Sequence, residues 1–221
     1  MITNIWYQSK KSAFSPTDIA GCKLWLKADA GITKDGGNYV SIWADQSGNG
    51  NDAVQATGSA QPLWVDDVLN GKPVLRFDGL DNWLEFNEID NAISIFMVLK
   101  HRTGTGSYPI TLGHLTTYDM NGGDGIYMFS SSYTSSYVLN GNLFVNSVIT
   151  PVLSSIKPIV HSLFSIIATG NIRVETICND RFVSNHLWDG DFAEIIIFDS
   201  ALSDTDRQLV ENYLNAKYAL W

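Results

Sequence analysis

Between Val40 and Asn91 the sequence changes repeatedly between loops rich in Gly, Asn and Asp and short runs of alternating apolar residues. The three segments are WADQSGNGNDA at 43–53, LNGKPVLRFDG at 69–79 and DNWLEF at 81–86. Gly and Asn accept the positive φ angles of tight turns, and an alternation of period two is typical of strands with one buried face. Turns joined directly to strands predict an antiparallel β-sandwich.

Several motifs follow one another in a fixed order: LWLKAD at 24–29, WADQSGNGNDA at 43–53, QPLWV at 61–65, LNGKPVLRFDG at 69–79 and GDFAEIIIFDSALSDTDRQLVENYL at 190–214. Together they resemble the laminin-G-like branch of the concanavalin A-like lectin/glucanase superfamily, from Leu24 to Tyr218. The resemblance implies an all-β fold, a concanavalin A-like jelly-roll β-sandwich of two antiparallel sheets with a short C-terminal helix. We expect this domain at residues 14–221, preceded by an N-terminal arm at residues 1–13.

The segment FSPTDIAGCKLWLKADAGI at residues 14–32 resembles openings of bacteriophage virion and tail-associated proteins. This resemblance implies a place on the virion surface, with synthesis in the host cytoplasm, and contacts to other virion proteins through residues 1–13. Lys10 and Lys11 follow the first apolar residues, so the order of a secretory signal is missing. No window reaches an 18-residue apolar span, and we predict no membrane span.

The charge balance restricts the partners. The chain has 14 Lys and Arg residues against 23 Asp and Glu residues, a formal net charge of -9, and no basic run. Binding to nucleic acid, which depends on neutralising phosphates, is therefore not expected. An acidic surface suits neutral glycans, divalent cations or basic protein partners. Trimers are common among phage fibre proteins, so a homo-oligomer is an open alternative.

The strand and helix signals can be placed along the chain. The runs ISIFMVLK at 93–100 and IIIF at 195–198 are typical of strands buried on both faces. Thr169-Gly170-Asn171 predicts a hairpin turn. Ser203 followed by Asp206 approximates a capping box, and the spacing of Leu209, Val210, Tyr213, Leu214 and Lys217 predicts a helix that packs on the edge of the sandwich. Strands are predicted at 23–28, 39–43, 73–77, 83–86, 94–100, 125–130, 142–146, 159–168, 172–178 and 193–199.

Catalysis has no positive support in the sequence. The glucanases of the superfamily use two glutamates that flank an aspartate on one strand, which sets two carboxylates about 5 to 5.5 Å apart. The nearest match, Glu88-Ile89-Asp90, is followed by Ala92 where the second glutamate is required. There is no G-x-S-x-G motif, and His101, His114, His161 and His186 are scattered. We predict no enzyme, and a glycoside hydrolase or lyase acting through Glu85 or Glu88 is the remote alternative.

Calcium is the candidate cofactor. The loop around Gly48 offers hard oxygen ligands on a flexible backbone, but its Asx side chains could equally serve as turn formers. The resemblance implies a further acidic pair after a glycine in the last long strand. Here that segment reads Gly190-Asp191-Phe192-Ala193-Glu194, so Ala193 replaces one acid. The candidate metal ligands are Asp45, Asn49, Asn51 and Asp52.

Sugar binding requires an aromatic face for the ring and fixed polar groups for its hydroxyls. The segment from 103 to 141, rich in Gly, Ser, Thr and Tyr, supplies both. The alternative is that these tyrosines only cover the edges of the sandwich. The candidate ligand-binding residues are Tyr108, Tyr118, Asp119, Asn121, Asp124, Tyr133, Tyr137 and Trp188.

The leading hypothesis is therefore a non-enzymatic recognition module on a phage particle that binds surface glycans or a host-surface receptor. The alternative is a purely structural decoration or fibre protein whose sandwich serves assembly.

Overall fold

A computed structural model describes residues 14–181, 183 and 186–221. The predicted N-terminal arm, residues 1–13, lies outside the described residues. Two helices are described, α1 at Ser136–Leu139 and α2 at Asp204–Tyr218. The strands are β1 Cys22–Lys27, β2 Ile32–Lys34, β3 Val40–Trp43, β4 Ala53–Val54, β5 Leu63–Leu69, β6 Lys72–Asp78, β7 Leu84–His101, β8 Leu112–Gly113, β9 Asn142–Val145, β10 Val148–Thr150, β11 Ser162–Ile177 and β12 Asp189–Phe198.

The strands pair antiparallel and build an all-β sandwich, as the turn-and-strand pattern predicts. The main layer has the order β10-β9-β11-β7-β12-β6-β5, and β1 also pairs with β12. The first half of β7 and the last half of β11 continue into the second layer, where they meet β4 and β8, and β3 and β2 follow β4. The two layers therefore share β7 and β11.

Two predicted strand breaks are absent. β7 joins the strands predicted at 83–86 and 94–100, and β11 runs without interruption through Thr169-Gly170-Asn171, so the predicted hairpin is wrong. A Cβ atom on Gly170 would lie 2.6 Å from the ring of Tyr137. This glycine therefore permits a close approach of an aromatic ring within a strand and does not form a turn.

The strand predicted at 125–130 is also wrong. That segment is irregular, although the Met128 amide donates to the Ser155 carbonyl and Tyr127 forms an isolated bridge with Ile156. The segment is therefore a loop that a few backbone hydrogen bonds attach to its neighbours, and not a strand. Five strands of the structure are not among the predicted ones, namely β2, β4, β5, β8 and β10.

The strands β7 and β12 are buried on both faces, as the runs at 93–100 and 195–198 predict. Ile95, Met97 and Ile195 face the core between the layers, whereas Phe96 and Ile196 belong to a second apolar cluster on the outer face. The alternation of a strand sends successive side chains to opposite faces. A strand without polar alternation therefore needs cover on both sides.

Helix α2 supplies the outer cover. Ser203 caps it by accepting a hydrogen bond from the Asp206 amide at 3.2 Å, in agreement with the predicted start. Val210, Leu214 and Tyr218 are buried in the outer cluster, which contains residues of β1, β6, β7, β11 and β12. The helix thus lies across the face of the main layer, and the predicted packing on an edge is wrong. Burial of Val210 and Leu214 stabilises the fold by roughly 1.5–3 kcal/mol each.

Glu194 fastens this helix to the sheet. Its carboxylate is 1% exposed and accepts hydrogen bonds from Trp25 Nε1, Tyr213 Oη, Tyr218 Oη and Lys217 Nζ at 2.6 to 2.8 Å. A buried carboxylate is tolerated when its lone pairs are satisfied in this way.

Among the described residues, no helix combines the length and the apolar character needed to cross a membrane.

Candidate functional site

The segment between β7 and β9 folds into a set of loops that form a cleft of about 610 Å³. We call it the aromatic cleft; it is lined by Tyr108, residues 123–127, residues 129–133 and Leu153. Its volume lies within the range of small-molecule sites, roughly 300–1,000 Å³. The predicted binding segment and an actual concavity therefore coincide.

Tyr133 stands at the mouth of the aromatic cleft with 46% of its surface exposed. The ring of Tyr108 meets it edge to face with 5.8 Å between the ring centroids. The centroid of the Tyr118 ring lies 5.6 Å from that of Tyr133, with an interplanar angle of 32°. Aromatic neighbours in these arrangements stabilise one another by about 0.5–1.5 kcal/mol. Tyr133 is therefore a half-exposed ring whose orientation is supported by two neighbouring rings.

Tyr108 adopts a left-handed backbone conformation with φ of 49°. A bulky residue with positive φ is uncommon, and such residues occur frequently at binding sites, where the surrounding structure maintains the strain. The surrounding structure thus holds the backbone of Tyr108, whose ring contacts Tyr133, in a conformation that is unfavourable for an isolated peptide.

The polar groups of the aromatic cleft are Asp124 and Ser130–Ser132. Asp124, Ser131 and Ser132 are exposed, whereas Ser130 is buried. Ser130 Oγ accepts hydrogen bonds from the amides of Ser132 and Tyr133 at 3.2 and 3.1 Å. The buried serine therefore shapes the turn that carries Tyr133, and the exposed hydroxyls and the Asp124 carboxylate remain available beside the rings.

Beneath this cleft Lys157 joins separate parts of the loops. The side chain is 1% exposed, and its ammonium donates hydrogen bonds to the carbonyls of Gly106, Gly123 and Gly125 at 3.3, 2.8 and 2.6 Å. Burial lowers the pKa of Lys157 to about 8, against an opposing effect of Asp124. One cation thus determines the course of the backbone on both sides of Tyr108.

A second buried charge supports Tyr118. Asp180 is 1% exposed. Its carboxylate accepts hydrogen bonds from Arg181 Nε and Nη2 at 2.7 and 3.0 Å and from His186 Nδ1 at 2.8 Å. Burial raises the pKa of Asp180, but the hydrogen bonds from Arg181, His186 and Asn121 lower it below its ordinary value. The Arg181 guanidinium then lies 3.8 Å from the centre of the Tyr118 ring, a cation–π contact.

Four of the predicted ligand-binding residues gather at this cleft. Tyr108, Asp124 and Tyr133 line it and Tyr118 supports it. Asp119 and Asn121 do not line it: Asp119 Oδ2 accepts from the amide of Arg173 at 3.0 Å, and Asn121 is 2% exposed. Both serve to fasten the loops.

The remaining two predicted residues, both aromatic, lie outside the aromatic cleft. Trp188 is fully buried in the core, where its Nε1 donates to the Lys100 carbonyl at 3.2 Å, so the prediction of a sugar platform is wrong. Tyr137 is exposed but packs over Gly170, away from the lining of the aromatic cleft.

The predicted calcium loop uses its oxygen atoms within the fold. Asp45 accepts hydrogen bonds from the amides of Trp25, Ser47 and Asn51 at 2.9, 2.9 and 3.1 Å, and Asp52 accepts from the Asp45 amide at 2.8 Å. Asn49 and Asn51 donate to carbonyls of Cys22 and Lys23 on β1 at 2.8 and 2.9 Å. The loop is fastened to β1 by Asx hydrogen bonds, so its geometry favours the turn interpretation over a metal site.

The structure brings together a cluster that the sequence analysis did not predict. Val174 on β11 lies opposite Ile89 on β7, which sets Glu88 and Glu175 side by side, and His114 reaches both. His114 Nε2 lies 3.2 Å from Glu88 Oε1 and 3.3 Å from Glu175 Oε1, and these three side chains have the spacing of metal ligands.

The tautomer of His114 argues against a metal there. His114 Nδ1 accepts hydrogen bonds from the amides of Thr116 and Thr117 at 3.0 and 3.2 Å, so the ring proton of the neutral form lies on Nε2. A protonated Nε2 has no lone pair for a cation, and it donates to the carboxylates instead. A hydrogen bond from Arg173 also lowers the pKa of Glu88. His114 and Arg173 therefore reduce the repulsion between the carboxylates of Glu88 and Glu175 on neighbouring strands. Only the strand register could have revealed it.

No protein-family model matches the chain, and no curated protein is significantly similar to it.

Proposed function

We propose that this protein is a non-enzymatic recognition module that binds glycans through the aromatic cleft. The observation that carries the proposal is the position of Tyr133, half-exposed at the mouth of the cleft and supported by Tyr108 and Tyr118. A sugar presents C–H groups that pack on such a ring, and the side chains of Asp124, Ser131 and Ser132 offer hydrogen-bonding partners for hydroxyls.

The rigidity of the site supports the same proposal. Lys157 and Asp180 fix the loops through buried charge-assisted hydrogen bonds, and preorganised rings lose little conformational entropy on binding. The laminin-G-like resemblance is consistent with a lectin-like role. A place on a phage particle rests on the resemblance of residues 14–32 to openings of virion proteins.

The test is a glycan array probed with a multivalent form of the protein, with and without added calcium. We expect binding to a restricted set of glycans in both conditions, because the candidate calcium ligands of the loop at 43–53 do not line the aromatic cleft. An array that remains blank in both conditions would contradict the proposal.

A structural role in assembly is the second candidate. β10 is the outermost strand of the main layer, and its Val148 and Ile149 are exposed. Ile156, Ile159 and Val160 are also exposed and line a groove together with Thr150 of β10; we call this set of exposed residues the apolar edge. Large exposed apolar patches and unpaired strand edges are typical of protein contacts.

The charge distribution favours a second copy of the chain as the partner at the apolar edge. Each copy has a net charge of -9, but Lys157 is the only charged residue between 142 and 160, and it is buried. Two copies can therefore meet at this edge without bringing like charges close together.

Sedimentation analysis of the wild type and the Ile149→Lys variant tests self-association, with Leu80→Lys on an exposed turn as the control. Self-association that Ile149→Lys alone abolishes would favour assembly, and a monomeric wild type would count against it. On a particle, deletion of residues 1–13 separates the roles: loss of incorporation with unchanged adsorption to the host favours structure.

A further inference from the structure

A second cleft, of about 280 Å³, lies where β6, β7 and β12 run side by side. We call it the basic cleft; it is lined by Arg76, Lys100, Arg102, Gly190 and Asp191. Three cations thus surround one small concavity in a chain whose net charge is -9. Asp191 and Asp189 pair with two of these cations, so Lys100 is the cation of this cleft that has no paired carboxylate among the described residues.

The register of the sheet explains the convergence. Asp191 on β12 lies opposite Arg76 on β6 and opposite Lys100 on β7. Residues that lie opposite each other on neighbouring strands project to the same face. Arg76 and Lys100 therefore flank Asp191 in one row across the sheet, and Arg102, two residues after Lys100, projects to the same side. The row continues the outer face that α2 covers around Val74 and Val98.

Two carboxylates hold two of these cations in place. Asp191 is 3% exposed and accepts Arg76 Nε and Nη2 at 2.7 and 3.0 Å. Burial raises the pKa of Asp191, but hydrogen bonds from His161 and Arg76 lower it below its ordinary value. Arg102 Nε lies 2.7 Å from Asp189 Oδ1. The guanidinium groups are thus positioned before any ligand arrives.

The cations keep donors that the fold does not use. Within the described part of the chain, no hydrogen-bond partner is found for Arg76 Nη1, for either Nη atom of Arg102 or for Lys100 Nζ. The side chains of Arg76 and Arg102 remain 39% and 55% exposed, so these donors can reach a ligand from solvent. The fork of a guanidinium matches the oxygen atoms of an oxyanion.

We propose that the basic cleft is a binding site for an oxyanionic group, namely a carboxylate, sulfate or phosphate carried by a ligand. Arg76 and Arg102 would donate through their Nη atoms, and Lys100 would add a point charge in the same cleft. The site does not depend on the aromatic cleft, so it can exist whether or not that cleft binds glycans.

Three probes distinguish the sources of the anion: glucuronate, inorganic sulfate and inorganic phosphate, each titrated at low ionic strength with chloride as the reference salt. The readout is the NMR shift of the backbone amides of Lys100, Arg102 and Gly190. We expect at least one probe to give saturable shifts at these amides, and the tightest probe identifies the anion class.

The Lys100→Gln/Arg102→Gln double variant should weaken that binding at least tenfold, because both substitutions remove positive charges from the basic cleft and leave the Arg76–Asp191 pair intact. Lys72→Gln, which removes a charge from β6 four residues before Arg76, should bind as the wild type does. If the double variant is poorly folded, Lys100→Gln alone serves, with a smaller loss expected. Absence of saturable shifts with all three probes, or equal binding by wild type and a folded variant, would overturn the proposal.

Discussion

Lys157 Nζ donates a hydrogen bond of 2.6 Å to the carbonyl of Gly125, a residue in the lining of the aromatic cleft. The same ammonium binds the carbonyl of Gly106, two residues before Tyr108. The two backbone segments that border this cleft are therefore coupled through one side chain that lies beneath it. The shape of the candidate site depends on a buried charge that does not face the ligand.

The Lys157→Met variant tests this coupling. Methionine keeps most of the apolar stem but leaves three carbonyls, one buried and two partly buried, without their donor, so we expect the free energy of unfolding to fall by about 2–3 kcal/mol. Urea denaturation measures the change, and Lys72→Met serves as the control with an expected change within about 0.5 kcal/mol. Equal stability of Lys157→Met and wild type would show that the ammonium contributes nothing to the loops.

The low pKa of His101 should make the free energy of unfolding depend on pH. Burial, together with the charges of Lys157 and Arg102, lowers the pKa of His101 from 6.5 to about 4. His101 Nδ1 accepts hydrogen bonds from the amides of Thr103 and Gly104 at 3.3 and 3.0 Å, which also requires the neutral ring. Between these two pH values the unfolded chain binds a proton that the folded chain does not, so the contribution of His101 to stability falls as the pH decreases from 6.5 to 4.

The His101→Asn variant keeps a side-chain acceptor and cannot titrate, so the decline in the free energy of unfolding over this pH range should be smaller in the variant than in wild type. An NMR titration in which the His101 ring becomes protonated near pH 6.5 would contradict the expectation.

The Tyr133→Ala variant should lose most of the glycan binding found on the array. Removing one stacking ring from a small site is expected to weaken binding by about 1–3 kcal/mol, or about 5-fold to more than 100-fold. Tyr39→Ala is the matched control, because Tyr39 is also 46% exposed and lies outside the aromatic cleft. Titration calorimetry with an array-positive glycan gives the affinities, and equal losses in both variants would show that Tyr133 has no special role.

The loop at 43–53 should behave as a turn and not as a calcium site. Because Asp45 accepts three backbone amides, Asp45→Ala should lower the free energy of unfolding by about 1.5–3 kcal/mol, whereas Asp90→Ala, at an exposed position, should change it little. Calcium or a chelator should leave the melting temperature of wild type unchanged. A rise with calcium that Asp45→Ala removes would restore the metal interpretation.

Local patterns predicted much of the fold because they report on short-range physics. The Asx loop at 43–53, the strands buried on both faces and the serine cap of α2 all follow from turn chemistry, side-chain alternation or capping within a few residues. The same local logic failed at Gly170, because a glycine that permits an aromatic ring to approach has the same sequence signature as a glycine that permits a turn.

The candidate site was predicted at the level of its segment, but only in part at the level of its residues. The abundance of Tyr, Ser and Gly between 103 and 141 indicated a binding region, and Tyr108, Asp124 and Tyr133 do line the aromatic cleft. Whether an individual ring is exposed depends on what packs over it, and for Trp188 that is the core between the layers. Lys157, which supports the cleft, carries no local signal because its partners lie more than 30 residues away.

By itself, then, the sequence determined the class of fold, since turns and strands are encoded by neighbouring residues. The tertiary structure alone decided which charges and rings meet. The row formed by Arg76, Asp191 and Lys100, and the pairing of Glu88 with Glu175, both arise from the register between strands far apart in the chain. Register is set by the packing of the whole sandwich, and a shift of one residue would send each of these side chains to the opposite face.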